Sequence, residues 1–573
     1  MNGHVGGRVE LVAPRPVTDS GDRWRLLALV LLAVAVHAWL VANTAVTAKD
    51  SIRFARHSLA LWKPNQDKVE GTPKRTFPDV LRAENDPPGY PLALAAFYFP
   101  VKAVWAEPHS TVMDRALLAG QLASALAAVL TVFPMYWLGR LLFSKWVGFG
   151  AAAVFQCLPV YARESSDAIS DGSYLFFVAT ALLLAARGVR KPTVGRFLTA
   201  GLAVGMAYLI RPEGLLILFP CVAAVPAGMC LAGRWAGKST AAWLTALAVG
   251  TALPAAPYMV VIGRLTNKPT TNDPFQAPTL TPREKLMRDG KADAGGPPFA
   301  SWVPVDATGA RRAGLAVWES AKEWLKATHY SVGILGVVGL IFLRRRFRDE
   351  PGLWLLVVYG GVSATAMIFL AEFRGYVSER HALPLAMVCV YFAVAGLGPL
   401  FAWCERNALF WNGVFRWRYL GAVVCVAIMA SGGRQLARPL HDNRLGHKLA
   451  GEHLRDRLDP AADTLVDPYG WAGFYSAWAV YNDGPSDREW TAARPLVRWA
   501  VLELNADADG LPQPDTSKVP DPRHDLAVRI YRNAPEDGVT GQVDEVFRWP
   551  AADTGERPRV VVVKQTLPPK PTK

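Results

Sequence analysis

Charged side chains are scarce in this chain. Asp, Glu, Lys and Arg supply 19% of its 573 residues, against roughly a quarter in ordinary globular proteins. It also lacks an internal repeat, a heptad array and a glycine-rich phosphate loop, which sets aside repeat, coiled-coil and phosphate-loop architectures. Cysteine is sparse as well. Cys157, Cys221, Cys230, Cys389, Cys404 and Cys425 all fall in or beside apolar runs, so no disulfide framework or zinc cluster is implied. Apolar residues are abundant, at 51%, and are gathered in runs near the length needed to cross a ~30 Å hydrocarbon core. The composition is that of an α-helical polytopic membrane protein.

About eleven runs stand out, near residues 25–46, 115–139, 146–162, 171–187, 195–210, 214–232, 240–263, 329–343, 352–371, 383–404 and 419–433. Each predicts a membrane helix. One set of loops, "GRLLFSK", "RGVRKPTVGR", "GRWAGK", "LRRRFRDE" and "CERNALFWNGVFRWR", is short and basic, which assigns it to the cytoplasm. These loops carry much of the formal charge of +14, so the charge does not point to nucleic acid. The stretches 47–114 and 264–328, the turns near 163–170, 211–213 and 372–382, and the tail alternate with them and face outward. The polar N-terminus has no cleavable signal before the first run, which is therefore read as a retained span.

The stretch "AENDPPGYPLALAAFYF" (residues 83–99) sets two acids, Glu84 and Asp86, before a Pro-Pro-Gly break and an apolar run. Only about 13 residues precede Pro100, fewer than the ~17 a span needs. A crossing here would also translocate "LRRRFR". The run is therefore expected on the outer surface, as an interfacial or re-entrant helix. Before it, "DSIRFARHSLALW" spaces Ile52, Ala55, Leu59 and Trp62 at three- and four-residue steps, with Arg53, Arg56 and His57 between. That predicts a second surface helix, joined to the first by a polar crossing at 63–86. From about residue 440, "DTLVD", "WAVLEL", "LAVRIY" and "RVVVVKQ" alternate with polar and helical stretches. Residues 1–439 thus read as the transmembrane unit and 440–573 as a small extracytoplasmic α/β domain.

Four groups of ionisable residues stand at outward-facing ends of the runs. They are Lys49 and Asp50; Arg163, Glu164, Asp167 and Asp171 in "YARESSDAISDGSYLFF"; Arg211 and Glu213 in "YLIRPEGLL"; and Arg374, Glu379, Arg380 and His381 in "EFRGYVSERHALPL". Each has an ordinary explanation. Asp50 ends a span in water, and Asp171 sits on a helix dipole. Arg211 and Glu213 close a hairpin, Arg380 and His381 anchor at the interface, and Glu84 and Asp86 are solvated loop acids. Together, however, they set acids and cations at one depth on one face. An anionic, lipid-anchored substrate needs that arrangement: cations neutralise a phosphate while a carboxylate takes a proton from the incoming group.

In order and spacing, "NDPPGYPLALA", "ISDGSYLFFVATALLL", "GLAVGMAYLIRPEGLLIL" and "YVSERHALPLAMV" resemble segments of the GT-C membrane glycosyltransferases. The likeness is to the group containing protein O-mannosyltransferases and the aminoarabinose transferases of lipid A, and it covers roughly residues 25–435. It implies sugar transfer, with inversion, from a polyprenyl-phosphate carrier in the bilayer to an acceptor glycan, lipid or protein at the outer face of the cell membrane. Asp50 matches the family's first-loop Asp, a general base or acceptor-positioning group, with Ser51 where relatives often carry a second acid. Asp171 corresponds to the second-loop acid, with Glu164 close by. Arg380 and His381 match the pair facing the carrier phosphate, and Arg163 and Arg211 are further candidate phosphate ligands. Glu84, Asp86 and Tyr90 form the candidate substrate loop. Some members bind a divalent metal through this loop, which makes Glu84, Asp86 or Asp171 candidate ligands; Asp86 stands where relatives often carry His.

Two other functions compete with this one. A transporter or flippase of lipid-linked sugars would line a pathway near mid-bilayer with charges and pair its broken helices. A non-catalytic scaffold presenting the tail would leave Asp50, Arg380 and His381 without a shared purpose.

Overall fold

A computed structural model describes residues 20–62, 76–105, 111–231, 237–268, 300–303, 307–406, 417–459, 463–476, 497–506, 512–514, 522–532, 542–550 and 559–566. The polar N-terminus, the crossing at 63–75 and most of the loops "GRWAGK" and "CERNALFWNGVFRWR" lie outside the described residues.

The helices are α1 (Ser20–Ala42), α2 (Lys49–Trp62), α3 (Phe77–Ala83), α4 (Gly89–Val104), α5 (Val112–Leu142), α6 (Lys145–Gln156), α7 (Pro159–Glu164), α8 (Asp171–Arg190), α9 (Val194–Ile210), α10 (Leu218–Leu231), α11 (Gly237–Ile262), α12 (Gly309–Ala327), α13 (Ser331–Leu343), α14 (Gly352–Arg374), α15 (Leu383–Arg406) and α16 (Trp417–Leu436). Each apolar run contains a helix. Among the described residues α1, α5, α8, α11, α14 and α15 are long and apolar enough to cross a bilayer, and α12 with α13 makes one more if that pair, bent by 104°, is a single span. The protein is a multi-pass membrane protein.

The run at 146–162 is two helices rather than one. Pro159 has no N–H to continue α6 and instead starts α7. The stretch 264–328 contains α12, which buries Ala316, Ser320, Glu323 and Ala327 on one face. Several helix pairs approach backbone to backbone, α9 with α11 and α13 with α15 among them. Gly201 of α9 meets Leu247 of α11, and Gly339 of α13 meets Gly396 and Phe392 of α15; a Cβ on either glycine would overlap a carbonyl oxygen. Small residues at such crossings let membrane helices pack closely.

The helices expected on the outer surface differ in detail from their sequence pattern. α2 buries Ile52, Phe54, Ala55, His57 and Leu61, whereas Trp62 is exposed. It is packed against α4 and α5 and does not simply float on a bilayer. α4 runs through Pro100 to Val104. Its 16 residues span about 24 Å, still short of the hydrocarbon core. Its Pro-Pro-Gly start is a docking device: a Cβ on Gly89 would lie 2.5 Å from the Leu209 carbonyl oxygen of α9.

Beyond α16 come α17 (Leu445–Arg455) and α18 (Trp471–Tyr475), with α19 (Pro522–Tyr531) further on. The strands in chain order are β1 (Ala300–Trp302), β2 (Tyr376–Ser378), β3 (Leu465–Val466), β4 (Trp499–Ala506), β5 (Pro512–Pro514), β6 (Gln542–Trp549) and β7 (Val560–Thr566). The tail sheet runs β3-β4-β7-β6 with β5 also on β4; only β3–β4 is parallel. Four successive valines, 560–563, are apolar because both faces are covered. Val561 and Val563 pack with Leu526 and Ile530, and Val560 and Val562 with Ala450 and Leu454. Tyr469, Trp471, Phe474 and Tyr475 instead join the core of the helix bundle.

Candidate active site

Asp50 lies in the first turn of α2, where a carboxylate also meets the positive end of the helix dipole. The chain entering that turn is pinned to Asp167. Thr47 Oγ1 and Ser51 Oγ donate to Asp167 Oδ1 at 2.8 and 3.2 Å, and the Ala48 N–H donates to Oδ2 at 2.9 Å. Neighbouring Ser166 is held in turn by His37 of α1 and Gln121 of α5. Arg380 sits in a 3-10 turn, Glu379–Ala382, that follows β2. The antiparallel pairing of β1 with β2 fixes the start of that turn.

These segments bring six charges into an alternating chain. Arg53 Nε contacts Asp86 Oδ2 at 2.7 Å, and its guanidinium lies 3.8 Å from Asp50 Oδ1. Asp50 Oδ2 accepts from Arg380 at 2.8 Å, and Arg380 reaches to 3.8 Å from Asp171 Oδ2. Asp171 Oδ1 is paired tightly with Arg211. Asp50 and Asp171 differ in access: the Asp50 side chain is 36% exposed and that of Asp171 1%. Arg380 Nε and Asp171 Oδ2 are buried without a hydrogen-bond partner among the described residues.

Asp86, Arg53, Asp50, Arg380 and Arg211 line an open cavity of about 1090 Å³, together with Glu164, Lys268, Tyr330 and His441. A second, mostly apolar groove of about 320 Å³ is formed by Leu216, Met367, Phe369, Leu370, Phe373 and Leu383. Arg211, Arg380 and His381 line both, so the groove opens onto the charged cavity at its cations.

Burial pushes the Asp50 carboxyl up, but the Arg380 and Arg53 guanidiniums outweigh it and hold the group well below the usual carboxylate range. Glu164 moves the other way. Burial raises it to about 7, Arg380 opposes that rise and Asp171 adds to it. One cavity carboxyl is thus a firmly ionised partner of arginine, and the other is poised near neutrality.

Several candidates have other duties. Asp171 is withdrawn from the large cavity and spent on arginine. His381 Nδ1 accepts from the Ser378 N–H at 3.2 Å, so the ring is neutral and offers an Nε2–H rather than a charge. Arg163, which also lines the large cavity, donates to the carbonyls of Gln435 in the last turn of α16 and of Arg438 and Pro439 beyond it, so it caps that helix. Tyr90 is fully buried, its hydroxyl 3.0 Å from the Gly120 carbonyl and 2.9 Å from Ser124 Oγ; it anchors α4 on α5. Glu84 stands outside the lining of both cavities, and its carbonyl accepts from Asn267 at 2.8 Å. With Asp86 and Asp171 each committed to an arginine, Glu84, Asp86 and Asp171 do not converge on a point. Among the described residues no three His, Cys, Asp or Glu side chains are spaced to hold a metal. A divalent cation therefore does not fit these side chains as arranged.

Sequence reasoning gave Arg53 and Asp167 no role of their own in the site and did not mark His441. Arg53 falls on the polar stripe of an amphipathic helix. Asp167 sits among serines in a short turn, whose only signal was its place at a span boundary. His441 follows the last span with no pattern around it.

Residues 105–259 match the model of the dolichyl-phosphate-mannose-protein mannosyltransferase family. The chain is similar to the archaeal oligosaccharyltransferase AglB from Archaeoglobus fulgidus, in complex with an inhibitory peptide and a dolichol-phosphate. The TM-score is 0.57 at 13% identity, over 94% of this chain and 80% of that one. It is also similar to ArnT from Cupriavidus metallidurans bound to undecaprenyl phosphate, with a TM-score of 0.53 at 13% identity over 95% and 98%. No curated protein matches the chain. At these identities the shared property is the fold.

Proposed function

We propose that this chain, a multi-pass membrane protein with the GT-C fold, is a glycosyltransferase that moves a sugar from a polyprenyl-phosphate donor to an acceptor hydroxyl at the outer face of the membrane, with inversion. The observation that carries the reading is the junction at Arg211, Arg380 and His381. There an apolar groove suited to an isoprenoid chain meets a charged cavity roomy enough for a sugar and its acceptor. The two similar structures hold dolichol-phosphate and undecaprenyl phosphate, which supports the same lipid class here.

In this reading the acceptor oxygen bonds to the anomeric carbon as the bond from that carbon to the phosphate oxygen breaks. The electron pair leaves on the phosphate, where Arg380 and Arg211 offset the growing charge. The acceptor proton passes to Asp50. A carboxylate held low by two arginines is a weak base, so the donor phosphate has a second task. By drawing on Arg380, it returns basicity to Asp50. Donor binding therefore precedes acceptor activation. A second reading gives the proton to Glu164, whose near-neutral affinity suits a general base at physiological pH.

On this reading residues 1–439 form the transmembrane unit, and the unit from residue 440 lies outside the cytoplasm with the cavity. A reporter active only in the cytoplasm, fused after Lys573, stays silent. The central test is transfer by purified protein in liposomes, using a panel of radiolabelled polyprenyl-phosphate hexoses and pentoses. Label leaving the lipid supports the reading. Label that crosses the bilayer still attached to its lipid assigns the protein as a flippase instead.

A further inference from the structure

The tail reaches into the site at three points. Leu440 takes hydrogen bonds from the Ala45 and Val46 N–H groups and donates to the Asn43 carbonyl, so it lies alongside the segment leading to Asp50. His441, a non-glycine residue with a left-handed backbone (φ 53°), turns its ring onto Asp167, with Nε2 3.0 Å from Oδ2. Farther on, Trp471 Nε1 donates to the Thr47 carbonyl at 3.0 Å, and the Tyr475 hydroxyl accepts from the Thr47 N–H at 3.2 Å. Thr47 therefore has its N–H, its carbonyl and its hydroxyl all held, the first two by the tail and the third by Asp167.

Asp167 is nearly fully buried. Its two oxygens receive Thr47, Ser51, the Ala48 and Ala168 N–H groups and His441. That fills the capacity of a carboxylate, so Asp167 has nothing left to offer a substrate. Its neighbours are instead the residues flanking Asp50.

We propose that the tail is a positioning element for the reacting carboxylate, with His441 as its positioning residue: His441 fixes Asp167, and Asp167 fixes the first turn of α2, which carries Asp50. The proposal rests on the reading of Asp50 given above. It assigns the tail a part in the reaction, although the tail need not touch the sugar. A reacting oxygen misplaced by about an ångström costs on the order of 10²-fold in rate, and Thr47 is three residues from Asp50.

The test uses the full-length protein and has two arms. The first is hydrogen exchange. In His441→Ala the amides of residues 47–53 exchange about tenfold faster, while those of β7 keep their protection because the tail remains folded. His441→Gln, which returns a neutral donor to Asp167, restores protection to within about threefold. Trp471→Phe, which keeps the ring but loses the N–H to Thr47, loosens the same amides. Unchanged exchange at 47–53 in both His441→Ala and Trp471→Phe overturns the proposal.

The second arm is transfer from the polyprenyl-phosphate sugar that the wild type consumes. His441→Ala lowers kcat at least tenfold with donor KM within twofold, and His441→Gln recovers most of it. In an Asp50→Asn background His441→Ala has no further effect, since it acts through that carboxylate. An equal loss in both backgrounds overturns the proposal. Wild-type turnover by Asp50→Asn alone overturns the role of Asp50, and the exchange arm then still decides whether the tail tethers the loop.

Discussion

Both ends of the helix bundle carry an aspartate among arginines, and the two clusters differ in one respect. At the start of α1, Asp22 is fully buried. It accepts from the Tyr136 hydroxyl at 2.5 Å and pairs with Arg140 at 3.0 Å and Arg25 at 3.4 Å. At the opposite end, Asp50 is reachable from a large cavity, and its partner Arg380 keeps a buried donor without a partner among the described residues. Arg25 Nε of the inner cluster also lacks a partner among the described residues, but that cluster is closed off from the large cavity. The outer one is open, with donors left to give. Charges at span ends are ordinary; what marks a site is incomplete pairing next to space.

Asp50→Asn should separate the two ends most sharply. It keeps the shape and removes the base, so transfer falls by about 10²–10⁴-fold while binding of a polyprenyl phosphate stays within about threefold. Measuring both on one preparation checks it. Wild-type turnover would move the base to Glu164.

Asp22→Asn should do the reverse, lowering stability and leaving transfer per folded molecule unchanged. Breaking a buried pair costs about 3–5 kcal/mol; because Arg140 is 24% exposed, about 2 kcal/mol is expected here. Thermal unfolding in detergent reads the loss. A transfer defect beyond the folded fraction would erase the distinction between closed and open clusters.

Arg380→Ala should weaken polyprenyl phosphate binding about 10–100-fold, the loss of charged hydrogen bonds worth about 1.5–3 kcal/mol. Arg380→Lys should recover only part of it, because a point charge does not reproduce the guanidinium fork. Unchanged affinity in the Ala variant would remove Arg380 from the phosphate site.

The smallest effect belongs to Glu164. Burial raises its carboxyl to about 7, so the group is neutral below that pH and negative above it. A negative cavity wall repels a phosphate, and polyprenyl phosphate binding should weaken about threefold as the pH rises through about 7. That is a screened like-charge interaction of roughly 0.6 kcal/mol. In Glu164→Gln this step should vanish; a binding titration at pH 6 and 8 decides.

The sequence carried the apolar runs, the outer helices and the tail sheet plainly, because period and length report burial directly. It did not carry partnership. Asp50 and Arg380 are 330 residues apart, and each was visible only as a boundary charge. His381 and Arg163 looked like cations for a phosphate, yet local geometry turned one into a neutral cap and the other into a helix terminator. In α2 the stripe containing Ile52 and Ala55 was right, but Phe54 and His57 are also buried, since α4 and α5 cover more of the helix than a bilayer would. Tyr90 belongs to a legible segment whose use is docking. Asp167 and His441 meet only because the chain returns to its first outer loop after the last span, and no local pattern encodes that return.

The junction where Arg211 and Arg380 line both groove and cavity has a kinetic consequence. Donor and spent carrier share one lipid, so the groove holds them equally well. Their heads differ: a phosphodiester carries one negative charge, whereas the liberated phosphate monoester carries about −1.5 to −2 at neutral pH. Cations arranged for the charge that develops during transfer therefore grip the spent carrier more firmly than the loaded one. On the proposed function, release of the spent carrier would then limit each cycle, and polyprenyl phosphate would compete with its own glycosylated form. The rate of glycosylation would follow the ratio of loaded to empty carrier in the membrane rather than the amount of either.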